Sequence, residues 1–169
     1  MAYDGRALAN LLLDQADRQG LRLTNLGVQK VLYNAHGWHL VQFSAPLVAQ
    51  AFEAWRHGPV LPAVWEAFKQ AGDRPIAGRA MRLDPVTREV SIASADFAPH
   101  VAGFLSAILR SYGHIDPLVL SRMTHRPGGP WHKVWAAPNG GVTPGMRIAD
   151  EAIRVDFLDQ AAMGVGGTA

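Results

Sequence analysis

Leu23-Thr24-Asn25-Leu26-Gly27-Val28-Gln29-Lys30-Val31-Leu32-Tyr33-Asn34-Ala35-His36-Gly37-Trp38-His39-Leu40 is the stretch whose reading decides the fold. Thr24-Asn25 is a helix start signal, because a short side-chain oxygen there accepts from a backbone N–H that the first helical turn leaves unpaired. Leu26, Val31, Leu32, Ala35, Trp38 and Leu40 then recur at helical spacing toward Phe43. Gly27 and Gly37 fall inside this pattern. A glycine in a helix costs about 1 kcal/mol relative to alanine, so each marks either a break or a place of close packing.

Working outward, Asp4 caps a helix predicted to reach Gln19, with Leu8, Leu11, Leu12 and Ala16 on one face and Gly20 as its stop. After Ser44 the character changes. Pro46, Pro59 and Pro62 surround Phe52-Glu53-Ala54-Trp55, which can be extended, and His57-Gly58-Pro59 reads as a turn. Pro62 opens a helix carrying Val64, Trp65 and Phe68 toward Gly72. Residues 80–93 alternate with period two around Asp84-Pro85, which predicts a β-hairpin.

A helix from Asp96 to about Gly113 bears the stripe Val101, Phe104, Leu105, Ile108 and Leu109. Asp116-Pro117 pairs a cap with proline at the first helical position and opens a helix to Thr124. Arg126-Pro127-Gly128-Gly129-Pro130 is a connector into a short helical turn with Trp131 and Trp135, and Pro138–Gly145 is a loop. Asp150 to Met163 forms the last predicted helix, with Ile153, Phe157 and Leu158 facing inward. The expected fold is mainly α and close to all-α. It is a single compact helical domain over residues 1–163 with a small β-hairpin or short β element, followed by a flexible tail over 164–169.

The chain has 169 residues, 49% apolar and 18% charged, which suits one well-buried core. No run of about eighteen apolar residues offers a membrane span, and Met1 to Asp4 shows no secretory pattern. There is no cysteine, so disulfides and thiolate metal sites are excluded. A cytoplasmic location is expected. The isoelectric point near 9.3 invites a nucleic-acid reading. Yet Lys and Arg number 16 against 14 Asp and Glu, and they are scattered, not gathered on one stripe. Nucleic acid is therefore not expected as a partner of this chain alone.

Catalytic patterns fail one by one. No serine sits in GxSxG, no thiol nucleophile exists, and no glycine-rich segment forms a phosphate-binding motif. His36 and His39, three apart, could share a helix face as metal ligands, but no HExxH or similar pattern accompanies them. Packed or hydrogen-bonded histidines are the expectation. No catalytic residue, cofactor or metal is assigned, and the chain is not expected to be an enzyme. The conspicuous residues are aromatic and lie beside proline-rich turns: Tyr33, Trp38, Trp55, Trp65, Trp131 and Trp135. Tryptophan serves cores, and it is also enriched among the anchors of protein interfaces.

The Leu23–Leu40 block closely resembles the opening of the Panacea domain, found in SocA-like antitoxins and GepA-like phage-associated proteins. Phe52-Glu53-Ala54-Trp55-Arg56-His57-Gly58-Pro59-Val60 is similar to that family's EAWxxGPV segment. Leu120-Ser121 with Thr124-His125 and Pro130-Trp131 is similar to its LSxxTHxxxPW segment. The chain departs from the pattern at Gly27-Val28, where a lysine–leucine pair is common, and at His36 and His39, which replace glutamine and tyrosine. The resemblance implies a mostly helical cytoplasmic antitoxin that neutralises a cognate toxin by direct contact. In the SocA-like branch it also implies an adaptor that presents the toxin to the ClpXP protease. An enzyme or a DNA-binding regulator on the same helical scaffold is the alternative. Candidate partner contacts are the aromatic or polar-tipped residues inside the matched segments: Lys30, Tyr33, Trp55, Arg56, His57, His125 and Trp131. Fold maintenance is the competing role for each.

Overall fold

The computed structural model describes residues 1–136 and 146–164. The expected Pro138–Gly145 loop and all but the first residue of the expected tail lie outside these. Among the described residues seven helices make the protein mainly α, with 54% of those residues helical. They are α1 Gly5–Arg18, α2 Asn25–Phe43, α3 Pro62–Phe68, α4 Pro99–Tyr112, α5 Pro117–Met123, α6 Pro130–Trp135 and α7 Asp150–Ala162. Close to all-α is too strong a description, because among the described residues five strands form two small sheets. Strands β1 Phe52–Trp55, β2 Gly58–Val60 and β5 Arg147–Ile148 make an antiparallel sheet in the order β2-β1-β5, and β3 Met81–Leu83 pairs with β4 Val90–Ile92.

The caps read from sequence are in place. Asp4 accepts from the Arg6 N–H, Thr24 from that of Gly27, and Asp116 from those of Leu118 and Val119. One start differs: α4 begins at Pro99, three residues after Asp96. Proline excludes helical geometry at the residue before it, and Ala98 is accordingly extended (φ −57°, ψ 146°).

Helix α2 is the axis of the core. From Val28 to Leu40 every residue is buried, and α1, α3, α4, α5 and α7 all pack against it. A helix enclosed on all sides must satisfy its polar side chains internally. Asn34 donates to the Lys30 carbonyl at 2.8 Å, and the Trp38 indole donates to the Tyr112 hydroxyl at 2.8 Å. His36 accepts from the Val48 N–H through Nδ1 (3.2 Å) and meets Asp150 through Nε2 (3.0 Å). The latter contact ties α2 to the start of α7.

Gly37 marks close packing, not a break. A Cβ there would fall 2.3 Å from the Phe157 ring, which α7 lays directly on the α2 backbone. On α7, Ile153 and Phe157 are buried, whereas Leu158 is 40% exposed and does not face inward as its apolar character suggested.

The expected hairpin at 80–93 is present, and Asn10 of α1 holds its base. Asn10 accepts from the Ala80 N–H at 2.7 Å and donates to the carbonyls of Ala80 (2.9 Å) and Ala93 (2.8 Å). Alternation turns Met81, Leu83, Val90 and Ile92 to solvent. Asn10→Leu is expected to strip the Ala80 N–H and the Ala93 carbonyl of their partners, while the Ala80 carbonyl keeps the Ala93 N–H at 2.9 Å, at about 1–3 kcal/mol for each group left unmade. Hydrogen exchange at the Ala80 amide should accelerate while that of α2 stays slow. Equal protection at Ala80 in variant and parent would refute the clamp.

Candidate partner-binding site

Two adjacent side chains of α2 reach across to the β1–β2 hairpin. Gln29 accepts from the Leu61 N–H at 2.8 Å, fixing the junction between β2 and α3. Lys30, fully enclosed, donates from Nζ to the Pro59 carbonyl at 2.6 Å. No carboxylate among the described residues pairs with it. Burial therefore lowers its pKa to about 7, since an ammonium in a low-dielectric interior lacks the solvation it has in water.

The hairpin that Lys30 supports turns on Arg56-His57, one residue earlier than sequence suggested, and Gly58–Val60 is a strand. Pro59 fits because β2 is an edge strand. Gly58 has φ +101°, and a Cβ on it would meet Thr124 Oγ1 at 2.5 Å and Lys30 Cε at 3.0 Å. Only glycine fits between the backbone of this turn and the groups beneath it.

Helices α5 and α6 close the support from the other side. Ser121 Oγ donates to the His57 carbonyl at 2.7 Å, and Thr124 Oγ1 donates to the Ser121 carbonyl at 2.7 Å. The Trp131 indole donates to the Trp55 carbonyl at 2.7 Å. His125 stacks on Trp131 with ring centres 3.9 Å apart, and its Nε2 is buried without a partner among the described residues. Its pKa is lowered by burial and then by the Lys30 and His57 charges nearby. Trp131 in turn stacks on Trp135 at 5.4 Å.

The three sequence segments thus meet at one place. Lys30, His125 and Trp131 lie below the turn, and Arg56 and His57 stand exposed above it. Half-buried Trp55 links the two levels, donating to Glu53 at 2.9 Å and lying 5.5 Å from Trp65. Beside the turn runs an open groove of about 360 Å³, bounded by Asn25, Trp55, Arg56, Trp65, Lys69 and Leu118 among others. Tyr33 does not join this group. It is buried against Phe52 (5.3 Å) and Phe157 (5.9 Å), and burial, with the Asp156 charge, raises its pKa. It borders a separate groove of about 370 Å³ where Arg126 pairs with Asp156.

Sequence reasoning did not single out Gln29, Ser121, Asn25 or Leu118. Polar residues inside an apolar helical run are a usable signal for buried clamps, and Gln29 carries it. Leu118, an apolar residue that is 55% exposed, carries none. His36 and His39 are both packed, and His39 bonds the Ala45 carbonyl at 2.7 Å. No helix among the described residues is long and apolar enough to cross a membrane.

Comparison with known proteins identifies the family. Residues 28–132 match the family described as antitoxin SocA-like, Panacea domain. The chain is 36% identical over 159 residues to "Antitoxin SocA" of Caulobacter vibrioides (strain NA1000 / CB15N), covering 94% of this chain and 85% of that protein. No solved structure matches the chain.

Proposed function

The chain belongs to the antitoxin SocA-like, Panacea-domain family, and from that premise we propose that it neutralises a cognate toxin in the cytoplasm by direct, stoichiometric protein contact. One observation carries the reading furthest. The Trp55–His57 turn is fixed from beneath by α2, α5 and α6 through Lys30, Ser121 and Trp131, while Arg56 and His57 stand free in solvent. A surface held this firmly loses little conformational freedom on binding, so more of its contact energy is retained in the complex. Aromatic and arginine side chains on a rigid support are the usual anchors of such interfaces.

Growth rescue titrated against toxin level tests the proposal. Protection that ends near equal amounts of the two proteins is the expected result. Protection by this chain at far less than equal amounts would point instead to catalysis, and a salt-sensitive complex with operator DNA would point to a regulator. Delivery of the toxin to ClpXP, which the resemblance implies, adds a kinetic signature: the toxin should disappear faster when this protein is present. An unchanged toxin half-life leaves sequestration as the whole mechanism.

A further inference from the structure

The groove beside the hairpin turn has a definite chemical polarity. Its floor is apolar and aromatic, with Trp65 38% and Leu118 55% exposed beside the half-buried Trp55. Arg56 stands at its hairpin end and takes part in no ion pair or hydrogen bond among the described residues. Arg122 is likewise exposed and unpaired among the described residues. It lies one helical turn beyond Leu118, outside the lining of the groove.

Most neighbouring carboxylates are already engaged: Glu66 with Lys69, Asp116 in capping α5, and Glu53 with the Trp55 indole. Arg56 is thus the cation at the hairpin end without an ion-pair partner among the described residues, while Asp73 and the Glu66–Lys69 pair make the other end mixed in sign. That mixture disfavours a polyanion along the whole groove. The Trp55 and Trp65 rings are also inclined at 59°, not aligned as parallel platforms for successive bases. Asn25 adds a hydrogen-bonding demand: it lines the groove, is 5% exposed, and its Oδ1 is buried with no partner among the described residues while Nδ2 donates to the Trp65 carbonyl at 3.1 Å.

We propose that this groove receives an acidic polypeptide segment of the toxin, with an apolar side chain seated on Trp65 and Leu118 and a carboxylate held by Arg56. The proposal rests on the toxin-binding reading and specifies the face and the chemistry of its partner. A backbone N–H of the seated segment is the donor that suits the Asn25 carbonyl. The Arg56 fork matches a carboxylate in two-point geometry, which a lysine reproduces poorly.

The test uses the full chain and the cognate toxin identified by co-purification with it, purified separately, with affinity measured by calorimetry. Arg56→Glu and Leu118→Asp both alter exposed side chains and should leave the fold intact. Each is expected to weaken binding on the order of 30-fold or more, the effect of losing an interface anchor. Arg56→Lys should fall between parent and Arg56→Glu, and Arg82→Glu, on the exposed β3–β4 hairpin, should bind as the parent does. Full affinity in both Arg56→Glu and Leu118→Asp, with parent binding intact, would overturn the groove assignment and leave the toxin reading standing. Failure of the parent to bind the toxin would overturn both. A single-stranded RNA oligonucleotide that displaces the toxin and loses affinity in Arg56→Glu would overturn the polypeptide assignment.

Discussion

Truncating Phe157 to alanine is expected to lower stability by about 3–5 kcal/mol, the range for removing a buried aromatic ring from a well-packed core. Phe157 is 1% exposed and meets the Trp38 ring edge-on at 5.1 Å and the Tyr33 ring at 5.9 Å. It also fills the space left by the missing side chain of Gly37. The cavity has little means of collapsing, because the α2 backbone forms one wall. At about 2–4 °C per kcal/mol for a domain of this size, the melting temperature should fall by roughly 10 °C. Leu158→Ala is the control, since its side chain is 40% exposed and its loss should cost about 0.5 kcal/mol or less. Comparable melting temperatures for the two variants would show that α7 is not fastened through Phe157.

The second large effect is a dependence of stability on pH, set by Lys30. Its pKa is about 7 when folded and 10.5 when exposed. Between those values the unfolded chain binds the proton that the folded chain has released, so stability rises with pH, by up to about 1.4 kcal/mol per unit. Below about 7 both states are protonated and the cost of enclosing the ammonium is fully present. His125 acts in the same direction at lower pH, since burial depresses its pKa and unfolding lets it take up a proton. Tyr33 opposes the rise at the alkaline end. Its pKa is raised by burial above the ordinary 10.0, so above that value the unfolded chain ionises first and stability falls. A maximum near pH 10 follows. Urea unfolding at about pH 7 and about pH 9.5 should give clearly different midpoints for the parent and much closer ones for Lys30→Met. An equal pH slope in Lys30→Met would remove Lys30 as its source.

The parts of this fold that sequence revealed are those with local causes. Asp4, Thr24 and Asp116 announce helix starts because a cap is satisfied within three residues. The β3–β4 hairpin is legible from its alternation, even though the alternating side chains face solvent and contribute nothing to the core. What escaped depends on distant partners. The β1–β2 hairpin has a local cause, but its second neighbour does not: β5 arrives almost a hundred residues later to pair Phe52 with Ile148. Leu158 looks like core because its neighbour Phe157 is, and only the position of α2 decides which of the two is enclosed. Helix α2 reads as one apolar face, although Gln29, Lys30, Asn34 and His36 are enclosed as well. The candidate site divides in the same way. Trp55, Arg56 and His57 were legible as unusual residues beside a turn. The division of Lys30, His125 and Trp131 into supports beneath it required the structure.

The pairing of β5 with β1, and of α7 with α2, has a consequence for synthesis. Residues 147–162 complete both the three-stranded sheet and the wall of the central helix, and among the described residues they are among the last to leave the ribosome. Until they emerge, the nascent chain holds an apolar helix with one side uncovered, a condition that invites chaperone capture or proteolysis. The cell's supply of working protein therefore depends on how promptly translation delivers those residues. Interrupted chains should be destroyed, not accumulated as partly active fragments.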